Sequence, residues 1–225
     1  MTAPGGGSPL DRAPVIPVVQ LPEDVEPAQA GREVATALLA GGIPVIEITL
    51  RSEGALAAVT AVRELVPDVL VGAGTVLDVG QLEAAVEAGA QFVVTPGTTA
   101  ALRQALTDLP VPALPGAATV SEVMALRDAG FDEVKVFPAE PLGGPAFVRS
   151  VLAPLREVRV CPTGGITAAR AAAYLEIERV PCVGGSWLTP AELVRTGDWA
   201  GITRRAQHAT TTLGSALASP ASVEQ

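Results

Sequence analysis

Short β-branched runs recur along the chain at intervals of roughly 20 to 25 residues, and an Ala-, Leu- and Glu-rich stretch with helical periodicity follows each run. Strands that alternate with helices in this way form βα units, whose strands lie parallel in one sheet. Eight such units fit into the 225 residues. The predicted strands are Val15–Val19, Val45–Leu50, Val69–Val71, Phe92–Thr95, Ala113–Leu114, Glu133–Phe137, Arg159–Cys161 and Pro181–Val183.

Eight consecutive units predict an α/β fold, a single (β/α)₈ TIM barrel, because barrels of about 200 to 250 residues are common as single domains. A doubly wound open sheet is the alternative, although no Gly-x-Gly-x-x-Gly turn follows the first predicted strand. We expect the barrel domain to cover residues 14–218. A flexible leader rich in Gly, Pro and Ser would precede it at 1–13, and a frayed tail would follow it at 219–225.

The composition narrows the classes of partner and cofactor. A net charge of −9 and the lack of a basic stripe argue against a nucleic-acid partner. Every apolar run is interrupted before about 18 residues, so we expect a cytoplasmic protein with no membrane contact. One histidine and no Cys-x-x-Cys motif argue against a metal site. Cys161 and Cys182 are expected to be buried, reduced thiols.

Lys135 is the one lysine among the fifteen basic residues, and it lies inside the apolar run 134–138. A lysine amine can attack a carbonyl, whereas an arginine side chain stays protonated. A buried ammonium is also costly unless it has a partner or a function. We therefore predict that Lys135 is a Schiff-base nucleophile. A structural lysine that extends its amine to the surface is the alternative.

Alternation along the second predicted strand places Glu47, Thr49 and Arg51 on one face and aliphatic residues on the other. The aliphatic face must contact the helices, so the polar face points into the barrel. The same parity turns Lys135 inward. A convergent amine, carboxylate and guanidinium would supply an imine-forming nucleophile, an acid–base group and a clamp for a substrate carboxylate. A buried Glu47–Arg51 ion pair is the structural alternative.

Loops that could bind a substrate close several of the predicted strands. Barrels bind phosphate at the loops after the last two strands, through backbone amides and helix N-termini. The candidate phosphate-binding loops there are Cys161–Thr167 and Val183–Trp187, each with a Gly-Gly pair. Thr75 and Thr95 lie at the ends of the third and fourth strands, where a hydroxyl could reach a small acid. Asp78 is a candidate cap for the helix that follows it.

Six motifs occur in order along the chain. They are Glu-Ile-Thr-Leu-Arg at 47–51, Gly-Ala-Gly-Thr-Val-Leu at 72–77, Phe-Val-Val-Thr-Pro-Gly at 92–97, Val-Lys-Val-Phe-Pro-Ala-Glu at 134–140, Cys-Pro-Thr-Gly-Gly-Ile at 161–166 and Val-Gly-Gly-Ser-Trp-Leu at 183–188. Together they resemble the 2-keto-3-deoxy-6-phosphogluconate (KDPG) aldolase and 4-hydroxy-2-oxoglutarate (KHG) aldolase family. The resemblance covers residues 14–210.

The resemblance implies a class I aldolase on a (β/α)₈ barrel that needs no metal or other cofactor and assembles as a homotrimer. Its substrate would be a phosphorylated keto acid, KDPG, which it would cleave to pyruvate and glyceraldehyde 3-phosphate. Cleavage of KHG to pyruvate and glyoxylate is implied as a further activity. Many relatives place an arginine in the first strand, whereas this chain has Val18, Val19 and Gln20 there, which leaves the preferred aldehyde open.

The resemblance also assigns roles by motif. Lys135 would form the Schiff base, Glu47 would shuttle protons, and Arg51 with Thr75 would bind the pyruvate carboxylate. The remaining assignments are Phe137 and Thr163 to the pocket wall, and Gly164, Gly165, Gly185 and Ser186 to the substrate phosphate.

Three alternative functions remain open from the sequence. The substrate could be the C4 epimer of KDPG, the galactonate-derived acid, because one pocket contact could decide between the two. A phosphosugar isomerase or epimerase could use the same phosphate loops with Glu47 as an enolising base, and it would need no imine. A non-catalytic sugar-phosphate binding protein is the third alternative.

Overall fold

The computed structural model describes residues 7–218, and side-chain surroundings up to residue 214. The predicted tail at 219–225 and the first six residues of the predicted leader lie outside the described residues. In the described part, parallel strands alternate with helices along the chain, which confirms the predicted α/β class. None of the helices described there is long and apolar enough to cross a membrane.

The elements follow the predicted order. The strands are β1 (Val15–Val19), β2 (Val45–Thr49), β3 (Leu70–Gly74), β4 (Phe92–Val94), β5 (Ala113–Leu114), β6 (Gly116–Ala117), β7 (Glu133–Val136), β8 (Arg159–Pro162) and β9 (Val183–Gly185). The helices, after a 3₁₀ turn at Pro9–Asp11, are α1 (Pro27–Ala40), α2 (Ala55–Leu65), α3 (Val79–Glu87), α4 (Ala100–Thr107), α5 (Val120–Asp128), α6 (Gly144–Leu152), α7 (Ala168–Leu175), α8 (Ala191–Thr196) and α9 (Trp199–Ala218).

The strands form a curled parallel sheet in two parts. One part has the order β5-β4-β3-β2-β1-β9, and the other has the order β6-β7-β8. Neighbouring strands in both parts are parallel. A further parallel bridge joins Thr163, just after β8, to Gly184 in β9. The carboxyl ends of all these strands therefore lie at one edge, where the loops that follow them meet.

Six of the eight predicted strands differ from the observed ones by one to three residues at an end, and a proline lies at two of the places where the sheet departs from the prediction. The fifth predicted strand is observed as β5, and Pro115, which has no amide hydrogen to donate to a neighbour, separates it from β6, a short strand that the sequence did not predict. The Pro115 carbonyl still accepts a hydrogen bond from the Lys135 amide, at 3.0 Å. The last strand begins at Val183 rather than at Pro181, and the Val183 amide makes the first bond, to the Pro14 carbonyl at 3.1 Å.

Short polar side chains begin several of the helices. The Asp78 carboxylate accepts a hydrogen bond from the amide three residues later, at 2.8 Å, which confirms the predicted cap of α3. The hydroxyls of Thr99 and Thr119 cap α4 and α5 in the same way, each at 3.2 Å. Such a cap satisfies one of the amide groups that a helix leaves free at its start, and contributes about 1 kcal/mol.

Both faces of the sheet are buried, as expected for parallel strands between helices. In β2, which contacts α1 and α2, Ile46 and Ile48 are completely buried. Glu47 and Thr49, which alternate with them, are only 3% and 1% exposed. Burying an aliphatic side chain contributes roughly 1.5–3 kcal/mol, so the helix-facing residues stabilise the strand. The two polar residues require partners on the other face.

Residues 8–13, which the composition assigns to a flexible leader, instead pack against the amino-terminal end of the strands. Leu10 is 1% exposed, and the Ser8 hydroxyl donates to the Glu133 carboxylate at 2.6 Å. Arg159 pairs with both Asp11 and Glu133. A Gly-, Pro- and Ser-rich composition favours disorder only where too little apolar surface is available to bury, and Leu10 supplies that surface here.

Cys161 and Cys182 are both free and buried, in agreement with the sequence. A hydrogen bond to Cys161, together with burial, raises the pKa of the Cys182 thiol well above its usual range. Both thiols therefore act as small apolar groups between neighbouring strands.

Candidate active site

Glu47 projects from β2 into the interior of the curled sheet. Strand β2 pairs with β3, and Thr49 of β2 is in register with Gly74 of β3. A Cβ atom at Gly74 would overlap the Glu47 carboxylate, so only glycine leaves room for this side chain. The end of β3 is therefore shaped around a buried carboxylate.

Lys135 projects from β7 toward the same point. Its amine donates a hydrogen bond to the Glu47 carboxylate at 3.2 Å, and the two side chains are 5% and 4% exposed. The amine also lies 5.6 Å from the centre of the Phe137 ring. Eighty-eight positions separate the two residues in the chain, so the contact exists only because the sheet curls. The structure thus brings the predicted nucleophile and the predicted acid–base group together.

Arg51 follows β2 and is exposed to solvent. Among the described residues, Glu47 forms its ion pair with Lys135, so the alternative of a buried Glu47–Arg51 pair is wrong. The arginine is left available to a ligand at the mouth of the site. An arginine fork of this kind suits a carboxylate or a phosphate.

The loop between β8 and α7 has the form of an anion site. Gly164 and Gly165 have φ angles of 101° and 78°, a left-handed conformation that side chains disfavour. Consecutive residues of this kind turn their amide groups to one side, as in many phosphate-binding loops. Hydrogen bonds from Ala139 to Thr163 at 2.7 Å and from Glu140 to Gly164 at 3.1 Å hold the loop against the segment that follows β7.

These groups surround a cavity of about 270 Å³ at the carboxyl ends of the strands. Its lining consists of Val18, Gln20, Thr49, Arg51, Phe137, Thr163, Gly164, Gly165, Ile166, Gly184, Gly185 and Ser186. Seven of the predicted site residues are in this set. Lys135 and Glu47 are not, because both are buried next to Thr49 and Phe137, which form part of the wall.

Two further predicted site residues, Thr75 and Thr95, also lie outside the cavity lining. Thr75 follows β3, is half-buried, and has a φ of 59°. Thr95 follows β4 and is completely buried. Its hydroxyl accepts a hydrogen bond from the Gly116 amide at 2.9 Å and lies 3.1 Å from the Thr98 hydroxyl, so it joins β4 to β6.

Five residues of the lining are not among the predicted ones: Val18, Gln20, Thr49, Ile166 and Gly184. Thr49 shares the inward face with Glu47, and its hydroxyl donates to the Val19 carbonyl at 3.0 Å. Gln20 follows β1 at the same edge as the glycine loops. Strand parity in the sequence already places Thr49 on the inward face, and the position of Gln20 at the end of β1 would have identified it as well.

The arrangement combines four chemical capabilities: an amine beside a carboxylate, an exposed guanidinium, an aromatic wall and a glycine loop with free amides. An amine next to a carboxylate can exchange protons with it and attack a carbonyl when neutral. The guanidinium and the loop can hold two separate anionic groups. Among the described residues, no three His, Cys, Asp or Glu side chains are arranged to hold a metal ion.

Comparison with known proteins gives a consistent result. The family model "Aldolase: KDPG and KHG aldolase" matches residues 7–205. The KHG/KDPG aldolase of Escherichia coli K12 is 45% identical over 200 residues, which cover 89% of this chain and 92% of that protein. The KDPG aldolase of Legionella pneumophila, solved with pyruvate captured as a covalent carbinolamine, has a TM-score of 0.85 and 37% identity, over 90% of this chain and 96% of that one.

A second similar solved structure contains a phosphorylated ligand. The Zymomonas mobilis ZM4 enzyme, solved with 3-phosphoglycerate, has a TM-score of 0.82 and 43% identity, over 90% of this chain and 93% of that one.

Proposed function

Because the chain belongs to the KDPG and KHG aldolase family, we propose that it cleaves KDPG to pyruvate and glyceraldehyde 3-phosphate through a Schiff base on Lys135. The single observation that carries this proposal is the buried contact of 3.2 Å between the Lys135 amine and the Glu47 carboxylate. The Legionella relative supports it, because a carbinolamine is the adduct of an amine with a carbonyl. An isomerase needs no such adduct, so that alternative is not favoured.

In the first step, the neutral Lys135 amine attacks the C2 ketone of KDPG, and the carbonyl oxygen becomes the hydroxyl of a carbinolamine. Of the three protons of the Lys135 ammonium, Glu47 has taken one before the attack. A second passes from the nitrogen to the carbonyl oxygen and forms this hydroxyl. Glu47 then gives its proton to the hydroxyl, which leaves as water. The product is a protonated imine that can accept an electron pair. The low exposure of both groups keeps solvent away from this exchange.

In the second step, the Glu47 carboxylate removes the proton of the C4 hydroxyl. The C4 oxygen becomes the aldehyde of glyceraldehyde 3-phosphate as the C3–C4 bond breaks. The electron pair of that bond moves through C3 into the imine and forms an enamine on Lys135. Glu47 then returns the proton to C3, and water hydrolyses the resulting imine to release pyruvate and the free amine.

The proposed binding roles are those that the family resemblance suggests, and the positions of most of these residues at the cavity support them. Arg51, which follows β2 in the cavity lining, would bind the pyruvate carboxylate together with Thr75, which follows β3. Phe137 and Thr163 would line the pocket around the reacting carbons, and Thr95, which follows β4, is the remaining residue proposed to bind the substrate. The phosphate would be held by the glycine loops, through Gly164, Gly165, Gly185 and Ser186. Cleavage of KHG, which lacks a phosphate, would use the same groups except the glycine loops.

We also propose that the curled sheet closes into a complete (β/α)₈ barrel that forms one domain over residues 14–218. Only Pro115 separates β5 from β6, and the Pro115 carbonyl is still bonded across to β7. The Thr163–Gly184 bridge lies between β8 and β9. If these two connections count as sheet continuity, eight strands form a ring with the Lys135–Glu47 pair inside.

The family resemblance further suggests a cytoplasmic homotrimer that uses no metal or other cofactor and binds no nucleic acid or membrane. The lysine imine itself would supply the electron sink that a cofactor or metal provides in other enzymes. The net charge of −9 is consistent with the lack of a nucleic-acid partner.

Reductive trapping tests the proposed function. Borohydride added with pyruvate should attach a pyruvate-derived group to the peptide that contains Lys135, as measured by mass spectrometry. Because Lys135 is the only lysine, the amino terminus is the one competing amine, and Lys135→Arg is the matched control for it. We expect Lys135→Arg to lose KDPG cleavage by at least about a thousandfold. Full turnover of KDPG by Lys135→Arg would exclude the Schiff base. So would a wild-type protein that gains no pyruvate-derived group when borohydride is added.

A further inference from the structure

We propose that Glu140, held by Tyr174 and Arg170, is a positioning residue that fixes the phosphate-binding loop at Thr163–Gly165. This inference deepens the proposed function and rests on it, because it assigns a role in holding the substrate phosphate. Glu140 would not touch the reacting atoms. It would act through the loop.

The backbone around Glu140 binds the loop directly. The Ala139 amide donates to the Thr163 carbonyl at 2.7 Å, and the Glu140 amide donates to the Gly164 carbonyl at 3.1 Å. These residues follow β7, the strand of Lys135. The two hydrogen bonds therefore fix the distance between the proposed phosphate ligands and the nucleophile.

The Glu140 side chain binds the helix that follows the same loop. Tyr174 donates its hydroxyl to one carboxylate oxygen at 2.7 Å, and Arg170 pairs with the other at 3.0 Å. Both partners are on α7, which begins at Ala168. Glu140 thus contacts the loop through its backbone and the helix after it through its carboxylate. A shift of the loop would have to break one of these two sets of bonds.

Gly165 packs tightly against Glu140. A Cβ atom at Gly165 would lie 2.8 Å from the Glu140 Cβ, closer than side chains normally approach. The loop therefore rests on the Glu140 stem with no room between them. A loop that is already in its binding conformation loses less entropy when phosphate binds. Arg170 also balances the negative charge of Glu140, which would otherwise repel a phosphate nearby.

The Tyr174 hydroxyl has no other evident purpose in the described structure. Tyr174 is the only tyrosine of the chain, and its ring is completely buried in the core. Burial and the bond to Glu140 raise the pKa of this phenol above its ordinary value, so it remains a donor. A phenylalanine could fill the same space. The hydroxyl is needed only to hold the carboxylate.

The predicted consequence depends on the phosphate of the substrate. Loosening the loop should weaken the binding of phosphorylated ligands and leave the Lys135–Glu47 chemistry intact. KHG provides the comparison because it carries no phosphate. A purely structural role for Tyr174 and Glu140 would affect both substrates alike.

Kinetics of Tyr174→Phe and Glu140→Ala with both substrates test the inference. We expect each variant to raise the KM for KDPG about tenfold, the size expected when one hydrogen bond to a charged group is lost. The kcat for KDPG and the KM for KHG should stay within about twofold. The inhibition constant of inorganic phosphate against KDPG cleavage should rise by the same factor as the KM. Glu140→Gln, which can still accept from Tyr174, should show a smaller rise.

Glu133→Ala is the matched control. Glu133 lies at the other end of β7, is 18% exposed against 14% for Glu140, and has a similar pair of partners in Ser8 and Arg159. The Glu133→Ala variant should leave the KM for KDPG and the KM for KHG unchanged. Equal KM changes for KDPG and KHG in Tyr174→Phe, or no change in either, would overturn the inference. A wild type that does not cleave KDPG would instead count against the proposed function.

Discussion

Lys135 and Glu47 are two charged groups that water hardly reaches, and such a pair is weak evidence of stability. Removing both charges from water costs several kcal/mol per ion, which the attraction between them offsets only in part. Apolar residues of similar volume would often be as stable or more stable. Function is therefore the better explanation for this pair, because a closely spaced amine and carboxylate in a dry site can transfer protons between themselves and a substrate.

At this scale we predict that Glu47→Gln lowers the kcat for KDPG by about 10²–10⁴, the usual contribution of a positioned acid–base group. The amide can still accept a hydrogen bond from Lys135, so the temperature of unfolding should change little. Steady-state pyruvate release and thermal melting measure the two effects. Glu83→Gln, an exposed carboxylate on α3, is the control. A kcat within threefold of the wild type would rule out Glu47 as the proton shuttle.

At the scale of elements, β7 has a paired glutamate near each end. Glu140 beyond its carboxyl end contacts the phosphate loop, and Glu133 at its amino end binds the packed segment at 8–13. Burial raises the pKa of Glu133 above its ordinary value of 4.5, although the hydrogen bond from Ser8 and the charge of Arg159 act in the opposite direction. Desolvation is the largest of these effects, because the carboxylate is mostly removed from water.

Because the pKa of Glu133 differs between the folded and the unfolded state, the free energy of unfolding depends on pH. The folded state binds the Glu133 proton more tightly than the unfolded state does, so Glu133 contributes stability below its unfolded pKa of 4.5. That contribution is lost as the pH rises from 4.5 through the higher pKa of the folded state. Glutamine resembles the protonated acid and has no such dependence.

We therefore predict that Glu133→Gln gains stability relative to the wild type as the pH rises. Chemical denaturation of both proteins at about pH 4 and about pH 7 measures the difference in the free energy of unfolding. The difference should be small at the lower pH and should favour the variant at the higher one. A difference that does not vary with pH, or one that varies in the opposite sense, would show that the folded pKa is not raised.

At the scale of the whole molecule, the exposed apolar side chains bear on whether the chain forms an oligomer. Leu65, Leu77 and Met124 are exposed apolar side chains, at 60%, 55% and 43%. Single exposed residues of this kind are ordinary on monomers, so the surface does not by itself require an interface. The proposed homotrimer rests on the family resemblance alone.

Sedimentation velocity tests the assembly directly. We predict a single species with three times the mass of the chain, unchanged over a hundredfold dilution from about 1 mg/ml, because a stable homo-oligomer interface gives a dissociation constant well below such concentrations. Lys135→Arg has almost the same mass and an unchanged surface, and it should sediment identically. A species with the mass of one chain at every concentration would reject the trimer.

The local pattern of the sequence determined the type of each element and the face on which its side chains lie. Alternation in β2 and β7 placed Glu47, Thr49 and Lys135 on inward faces, and the glycines after β8 predicted a loop with free amides. Local sequence can determine the face because successive side chains of a strand point to opposite sides of the sheet, so the pattern of neighbouring residues shows which side is buried. The lone lysine then indicated the chemistry.

Only the tertiary structure decided which side chains meet. Lys135 reaches Glu47 across 88 positions, Thr95 bonds to β6 rather than facing the cavity, Leu10 packs under the strands, and Tyr174 holds Glu140. Each of these contacts depends on the curl of the sheet and on which helix lies over which loop. Those arrangements come from the packing of the whole core, which no short window of sequence contains.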